Sequence, residues 1–422
     1  MNEQYLHHYA EILVEYAAGL QKDQQLFIHG EVAHRELALQ VAEAAYERKS
    51  GPVSFWLNDP LQQAQLIRYG CLDQIDLAHE QERSWFNEIV RTRGILISLS
   101  GSEYPRLMQE LAVSYPEQHA YFSKSLNAIR AVFWAHGIHR GYCPWVVAGA
   151  VTSGWANLVF PNGEMTEAEK VEKLTGLIYK FNYAEQKNAI ALLKAKDRQL
   201  HARRNMLNEL EITEIHVTGG GNDFTVGFSQ HAQWLGGSKQ TIFGQTFTPN
   251  MPTYENFTTP DRRKTQGTFV ASMPFRTKNG VLVSDLVLKF QDGRVVNFDA
   301  EQEKDAFGKW IATDEGARFL GEFALVGLDS PIAETKLFFE HTLYDENASS
   351  HVALGKGYAS ALKGGEKMTD KQLEEIGCNN SVIHTDIMFG SQEVTIVATK
   401  TNQGEVMLIK KGHWTAPFLN AE

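Results

Sequence analysis

The chain has 422 residues, of which 43% are hydrophobic, and its 40 basic and 51 acidic residues give a formal net charge of −11. Two or three domains are expected, because a chain of this length exceeds one ordinary hydrophobic core. The acidic balance disfavours a partner with a phosphate backbone, so we expect no nucleic-acid partner.

The chain offers no signal of export or membrane insertion. Its first residues are polar, unlike a signal peptide, and no stretch approaches the roughly 20 apolar residues of a membrane helix. We therefore expect a soluble, cytoplasmic protein without a membrane partner. The three cysteines, Cys71, Cys143 and Cys378, are widely spaced and odd in number. They predict neither a disulfide framework nor a thiolate cluster, so a bound metal would need nitrogen and oxygen ligands.

The first half alternates short apolar segments with amphipathic helical patterns. Strands are predicted at residues 26–29, 52–57, 94–99 and 131–134, and helical spacing lies between them, for example at 36–48. This alternation is typical of a parallel α/β sheet. Thr166-x-x-Glu169 is a capping box, and it predicts the start of a long helical stretch that continues to about residue 206. We place a domain boundary there, with an α/β domain over 1–206 and a β-rich domain over 207–422.

The pattern after residue 210 changes to short strands and turn dipeptides. Asn279-Gly280 precedes an apolar run at 281–290, and Asp292-Gly293 precedes another at 294–298. These dipeptides predict hairpins of an antiparallel, twisted sheet or barrel. The cluster Gly219-Gly-Gly-Asn222 favours a tight turn, because it lacks the third glycine of a dinucleotide loop and the lysine of a phosphate loop.

Several familiar catalytic signatures do not occur in the sequence. It contains no His-Glu-x-x-His helix, no Gly-x-Ser-x-Gly elbow and no convincing Cys and His pair. Zincin, serine-hydrolase and thiol chemistry are therefore disfavoured.

His384 and Asp386 stand two residues apart in the largely apolar segment 381–390. In a strand they would share one face, where an ionised aspartate needs a partner, and a metal ion is the natural candidate. The structural alternative is a buried histidine hydrogen-bonded to its own strand neighbour, which an isolated His-x-Asp pair favours. Glu322 lies in a second apolar run, at 320–326, where a carboxylate is equally costly. Further candidates are Glu255, Glu346, His351 and Tyr358. Taken singly, Glu255 has a structural interpretation as a turn residue and Glu322 as an acid bonded to arginine. His351 has one as a helix cap and Tyr358 as a core side chain.

Three longer motifs contain these residues. They are Asn250-Met-Pro-Thr to Arg263, Asp345-Glu-Asn-Ala-Ser-Ser-His-Val-Ala-Leu-Gly355, and Ser381-x-x-His-x-Asp-x-Met-x-Gly390. With Tyr9-Ala-Glu-Ile-Leu and Gly154-Trp-Ala156, they make the whole chain resemble the dinuclear metal aminopeptidases called aminopeptidase S, aminopeptidase T or thermophilic-type aminopeptidase.

Carried over position by position, the resemblance implies metal ligation by Glu255, Glu322, His351, His384 and Asp386, with Tyr358 at or beside the metals. It also implies a homodimer with an α/β amino-terminal domain and a β-rich, metal-binding catalytic domain. One position departs from the family pattern. Tyr254 stands where relatives commonly carry a second glutamate, so Glu255 is the residue that we assign as ligand.

The charges of the proposed ligands suit two metal ions per chain. Three carboxylates and one hydroxide balance two divalent ions, whereas one ion would leave a negative charge in a dry site. Nitrogen and oxygen ligands suit Zn, Co or Mn and do not choose among them. A water shared by two metals would attack the carbonyl of the first peptide bond. Glu346 is the candidate general base, Glu322 a possible bridge between the ions, and Tyr358 a donor to the tetrahedral oxyanion.

We therefore expect a metal-dependent aminopeptidase acting on peptides with a free amino terminus. Two alternatives remain at this point. A dinuclear phosphoesterase uses similar ligands, although such sites are usually richer in aspartate, and only Arg262 and Arg263 form a basic pair near a proposed ligand. A non-enzymatic peptide-binding protein with structural metals is disfavoured, because structural sites tend to be closed and rich in cysteine.

Overall fold

The structure, a computed structural model, describes residues 3–277 and 280–421. Its packing divides the chain into two units, Met1–Lys194 with Ser238–Pro252, and Ala195–Gly237 with Thr253–Glu422. The predicted division into domains at residue 206 stays a prediction.

The strands in chain order are β1 (Leu26–Glu31), β2 (Val53–Asn58), β3 (Ile95–Ser100), β4 (Trp145–Gly149), β5 (Ile212–Gly219), β6 (Asn222–Gly227), β7 (Lys239–Gln240), β8 (Thr246–Phe247), β9 (Asn250–Met251), β10 (Asn256–Thr258), β11 (Thr265–Val270), β12 (Phe275–Arg276), β13 (Leu282–Val283), β14 (Val287–Gln291), β15 (Arg294–Asp299), β16 (Leu320–Leu325), β17 (His351–Gly355), β18 (His384–Met388), β19 (Thr395–Lys400), β20 (Glu405–Lys410) and β21 (His413–Trp414).

The α-helices are α1 (Glu3–Glu11), α2 (Arg35–Glu47), α3 (Pro60–Tyr69), α4 (Leu72–Thr92), α5 (Leu107–Ser114), α6 (Pro116–Val132), α7 (Ser153–Val159), α8 (Glu167–Phe181), α9 (Ala189–Glu209), α10 (Lys304–Trp310), α11 (Thr342–Asp345), α12 (Asp370–Glu375) and α13 (Ala416–Leu419). Among the residues described, no helix is long and apolar enough to cross a membrane.

The first unit contains a parallel sheet of five strands in the order β2-β1-β3-β4-β9. Strands β1 and β3 each begin with three consecutive apolar residues, and Leu26, Ile28, Ile95 and Ile97 are fully buried. Such runs are typical of parallel strands that are covered on both faces. The predicted α/β class of this half is confirmed.

The strand predicted at residues 131–134 is wrong. These residues end α6 and continue into a π-helical segment, Phe133–His139, while the fourth long strand is β4. Phe133 is buried in a cluster with Phe27 and Phe86. A short apolar run cannot be assigned to a strand or a helix by periodicity alone, and here the run is helical with only Phe133 of its four residues buried.

The capping box at Thr166 begins α8 as predicted. The Thr166 hydroxyl accepts a 3.3 Å hydrogen bond from the Glu169 nitrogen, and the Glu169 carboxylate accepts one of 2.7 Å from the Thr166 nitrogen. The helical stretch is not continuous to residue 206, however. Helix α8 ends at Phe181, Tyr183 has a positive φ of 57°, and α9 begins at Ala189.

The second unit is built on antiparallel sheets. One has eight strands in the order β15-β14-β11-β6-β5-β19-β20-β21, and another has four in the order β10-β16-β17-β18. Gly220 and Gly221 turn β5 into β6, and Asp292 and Gly293 turn β14 into β15, all with positive φ as tight hairpins require. Lys278 and Asn279 of the other predicted turn lie outside the described residues. The predicted strand at 281–290 is divided into β13 and β14.

One face of the four-stranded sheet packs against the hydrophobic core of the second unit. Its core side chains are fully buried, and they are Phe323, Leu325, Val352, Leu354 and Ile387. A bulge between Leu320 and Glu322 shifts the register, so that Leu320 also joins the core. Because side chains alternate along a strand, the residues between these apolar ones face the opposite side.

Candidate metal centre

The proposed metal ligands lie on the face of the four-stranded sheet that is turned away from its core. Glu322 lies on β16, His351 begins β17, and His384 and Asp386 share β18, while Glu255 directly precedes β10. Every strand of this sheet therefore carries or adjoins a proposed ligand.

The strand register brings distant parts of the chain together on this face. Glu322 and Asp386 both pair with Ala353, from opposite sides, and His384 pairs with Gly355. Ala324 likewise pairs with Phe257 on one side and with His351 on the other. Ala324, Ala353 and Gly355 are small and leave room above the sheet for the larger carboxylates and imidazoles.

Two groups of three ligands meet on this face. The first is Glu255, Glu322 and His351, and the second is Glu322, His384 and Asp386. Within each group the potential ligand atoms all lie within 4.8 Å of one another. Glu322 is common to both groups. The two groups therefore adjoin each other on the sheet and share one carboxylate.

The hydrogen bonds of the two imidazoles favour metal ligation. Nδ1 of His384 lies 2.8 Å from the Lys356 carbonyl oxygen, and Nδ1 of His351 lies 3.1 Å from that of Ser349. Each Nδ1 must carry a proton to bind a carbonyl, so in a neutral imidazole Nε2 presents a lone pair. Backbone carbonyls commonly orient metal-binding histidines in this way.

Each Nε2 faces carboxylate oxygens. That of His384 lies 3.1 Å from Glu322 and 3.3 Å from Asp386, and that of His351 lies 3.5 Å from Glu255. Lone pairs and carboxylates at these distances repel unless a cation or a proton stands between them. The donor set thus fits divalent metal ions.

The same electrostatics appear in the pKa values of the two histidines. Burial alone would lower the pKa of His384, but the charge and hydrogen bonds of Asp386 and Glu322 raise it well above its ordinary value. For His351, burial is likewise outweighed by Glu255, Asp386 and Glu322, and the pKa is raised. The site therefore attracts positive charge strongly, and metal cations would take the place of these protons.

Glu346 and Tyr358 both border the ligand groups. Burial, followed by the charges of Glu255, Asp386 and Glu322, raises the pKa of Glu346 well above its ordinary value. Tyr358 is 41% exposed as a residue, but its hydroxyl lies 3.2 Å from Nε2 of His384. Desolvation of that hydroxyl and the charges of Glu322, Asp386 and Glu346 raise the pKa of Tyr358 well above its ordinary value.

Tyr254, the residue that departs from the family pattern, is buried with 4% exposure. The Lys196 ammonium lies 5.0 Å from the centre of its ring. The backbone nitrogen of Tyr254 donates a 2.6 Å hydrogen bond to the side-chain oxygen of Asn347. Asn347 is a functional candidate that sequence reasoning misses, because its only signal there is its place between Glu346 and His351.

Comparison with known proteins agrees with this geometry. The profile of the thermophilic metalloprotease (M29) family matches residues 2–414 of the chain. The chain belongs to this family. The resemblance inferred from the sequence motifs is therefore confirmed.

Relatives of the M29 chain carry aminopeptidase names. Aminopeptidase T of Thermus aquaticus is 32% identical over 411 residues, which are 96% of this chain and 97% of that protein. Aminopeptidase AmpS of Bacillus subtilis is 29% identical over 97% of this chain and 98% of its own length. The structure of wild-type AmpT from Thermus thermophilus superimposes with a TM-score of 0.89 at 28% identity, covering 99% of this chain and 100% of that one. Membership of the M29 family implies divalent metal ions, for which the two groups provide ligands.

Proposed function

We propose that this metallo-aminopeptidase binds two divalent metal ions per chain and uses them to remove the amino-terminal residue of peptides. The observation that carries the proposal is the pair of ligand groups that share Glu322. The proposed ligands are Glu255, Glu322, His351, His384 and Asp386. Their three carboxylates and one hydroxide would balance two divalent ions, and their nitrogen and oxygen atoms suit Zn, Co or Mn.

When bound, the two ions would supply a bridging water or hydroxide as the nucleophile and would polarise the scissile carbonyl oxygen. The protein has to move the proton that the nucleophile releases. Glu346 is the proposed general base, because it is buried close enough to Glu255, Asp386 and Glu322 to interact with their charges but belongs to neither ligand group. It would then deliver this proton to the leaving amine.

Tyr358 is the proposed hydrogen-bond donor to the tetrahedral oxyanion. A tyrosine hydroxyl can donate a hydrogen bond, and its distance of 3.2 Å from His384 Nε2 puts the Tyr358 hydroxyl at the edge of the second ligand group. A donor in this position would stabilise negative charge that develops only in the transition state.

Restriction to the first residue of a peptide requires a group that recognises the free amino terminus. We propose that one of the metal ions or an acidic side chain of the centre binds it. We also propose that the protein is a cytoplasmic homodimer whose β-rich domain, residues 207–422, is catalytic. The family resemblance and the polar, acidic composition support these parts of the proposal.

The contacts of the basic residues argue against phosphoester hydrolysis. Arg262 lies 3.1 Å from the Glu374 carboxylate, and Arg263 lies 2.8 Å from that of Asp261. Both guanidinium groups are therefore engaged in ion pairs. A purely structural role for the metals would not account for Glu346 and Tyr358 beside the ligand groups.

Metal analysis combined with a peptide panel tests the proposal. We expect two divalent ions per chain and cleavage of peptides and amino-acid p-nitroanilides that have a free amino terminus. Peptides with an acetylated amino terminus should be resistant, and p-nitrophenyl phosphate should not be hydrolysed. Cleavage of blocked and free peptides at equal rates would exclude an aminopeptidase.

A further inference from the structure

The side chains of the extended segment 255–259 point alternately to two opposite sides, where they make different contacts. Asn256 and Thr258 turn away from the metal centre, where the Asn256 amide donates to the Leu200 carbonyl at 3.0 Å and the Thr258 hydroxyl donates to the Gln233 carbonyl at 3.0 Å. Glu255, Phe257 and Thr259 alternate with them, so they face the opposite side. Glu255 is a proposed ligand, whereas Thr259, in the same sequence motif, has no role in the mechanism described so far.

Thr259 binds both backbone groups of Tyr358 with one hydroxyl. Its Oγ1 accepts a 3.0 Å hydrogen bond from the Tyr358 nitrogen and donates one of 3.1 Å to the Tyr358 oxygen. Thr259 is fully buried. A side chain that satisfies both the donor and the acceptor of one residue restrains its backbone much as a neighbouring strand would.

The ring of Tyr358 is restrained by the same surroundings. Phe257 packs edge-on against it with the ring centres 5.7 Å apart, and the His384 ring lies 5.0 Å away. The segment that supplies Glu255 therefore also holds Tyr358 at two points, through the ring of Phe257 and the hydroxyl of Thr259.

The shape of threonine suits this position better than that of serine. A Cβ added at Gly357, the residue before Tyr358, would lie 3.0 Å from the methyl carbon of Thr259. The methyl group thus closes the space beside the backbone of residue 357. A β-branched side chain also has few accessible rotamers, so the hydroxyl stays directed at Tyr358.

We infer that Thr259 is a positioning residue that fixes the Tyr358 hydroxyl beside the metal centre. The inference rests on the role of Tyr358 in the proposed function. A tyrosine hydroxyl is far from its own backbone, so a small rotation at the backbone displaces the hydroxyl by more than a catalytic hydrogen bond tolerates. Thr259 acts through Tyr358 and does not itself touch the substrate.

Three variants isolate this role. Thr259→Val keeps the shape and removes both hydrogen bonds, and we expect kcat to fall about tenfold or more with little change in KM. Thr259→Ser keeps the hydroxyl and should retain most of the turnover. Thr258→Val is the matched control, because this neighbouring threonine is equally buried but binds Gln233 on the other face. It should lower the melting temperature by a similar amount and leave kcat unchanged.

A double-mutant comparison with Tyr358→Phe decides whether the effect passes through the hydroxyl. Thr259→Val should lower kcat in the wild-type background and have no further effect in the Tyr358→Phe background. Metal content, measured for each protein after dialysis, should stay the same. An equal loss of kcat in both backgrounds, or a loss of bound metal, would overturn the inference. Should Thr259→Val not fold, Thr259→Cys, which has a much weaker donor, enters the same comparison.

The same variants also distinguish a failure of this inference from a failure of the proposed function. Full turnover of Tyr358→Phe alone would remove Tyr358 from the proposed mechanism, and the inference would fall with it. A large loss in Tyr358→Phe together with unchanged turnover in Thr259→Val would leave the mechanism standing and overturn only the role of Thr259.

Discussion

The side-chain oxygen of Asn347 accepts a 2.6 Å hydrogen bond from the backbone nitrogen of Tyr254. Its amide nitrogen donates to the Leu343 carbonyl at 2.8 Å, and the residue is fully buried. One amide thus joins the segment before Glu255, a proposed ligand, to the turn that carries Glu346, the proposed base.

Replacement of Asn347 by leucine should therefore affect both stability and turnover. The variant leaves a buried donor and a buried acceptor without partners, which should lower the free energy of unfolding by about 2–4 kcal/mol. The kcat should fall as well, because Glu255 and Glu346 lose their common support. Urea denaturation and peptide hydrolysis measure the two effects. Asn297→Leu, at an exposed position of β15, is the control and should change the stability by less than about 0.5 kcal/mol.

The shared position of Glu322 predicts unequal effects of two conservative substitutions. Glu322→Gln removes a charged ligand from both groups, whereas Asp386→Asn affects only the group with His384. After dialysis we expect Glu322→Gln to retain fewer ions per chain than Asp386→Asn, as measured by elemental analysis. Retention of two tightly bound ions by Glu322→Gln would contradict the shared-ligand arrangement.

Glu346→Gln should separate metal binding from catalysis. The glutamine keeps the size of the side chain but cannot accept the proton, so kcat should fall by about 100-fold or more while metal content stays at the wild-type level. Glu366→Gln, at an exposed position of the same unit, serves as the control. Unchanged turnover would remove Glu346 from the base role, and lost metal would make it a ligand instead.

The first unit should lose stability in acid because of His29. Its Nε2 lies 3.2 Å from both the Arg130 guanidinium and the Asn58 amide, so it accepts hydrogen bonds in the neutral form. Burial, followed by the charge of Arg130, lowers the pKa of His29 from 6.5 to about 3. Between these values the unfolded chain binds a proton that the folded chain does not, so stability falls as the pH decreases from 6.5 towards 3.

The slope from this one group approaches about 1.4 kcal/mol per pH unit within that window. In His29→Gln, which keeps a hydrogen-bond acceptor but cannot be protonated there, the loss of stability between pH 6.5 and 4 should be smaller. Denaturant titrations across this range compare the two proteins. Parallel pH profiles would show that His29 does not bind an additional proton on unfolding.

Much of the site architecture follows from short-range patterns in the sequence. The spacing of His384 and Asp386 predicts one strand face, and the structure has both on the same side of β18. The apolar run around Glu322 is the fully buried strand β16. The dipeptide Asp292-Gly293 predicts a hairpin correctly, because its positive φ values are a local requirement.

Other features depend on long-range contacts that no local pattern contains. The strand predicted at 131–134 is helical because its Phe133 packs against Phe27 and Phe86 from remote segments. The carbonyls of Ser349 and Lys356 that orient the two histidines carry no side-chain signal in the sequence. The pairing of Ala353 with both Glu322 and Asp386 is set by strand register, which the sequence alone does not reveal.

The proposed ligands span residues 255–386 and adjoin all four strands of one sheet. Ions that bind this sheet only when it is folded would increase its resistance to heat in proportion to the logarithm of their free concentration. A shortage of metal would then lower the stability of the enzyme as well as its activity. It would leave a protein that unfolds at a lower temperature and is degraded sooner, so that the amount of enzyme in a cell would follow the metal supply.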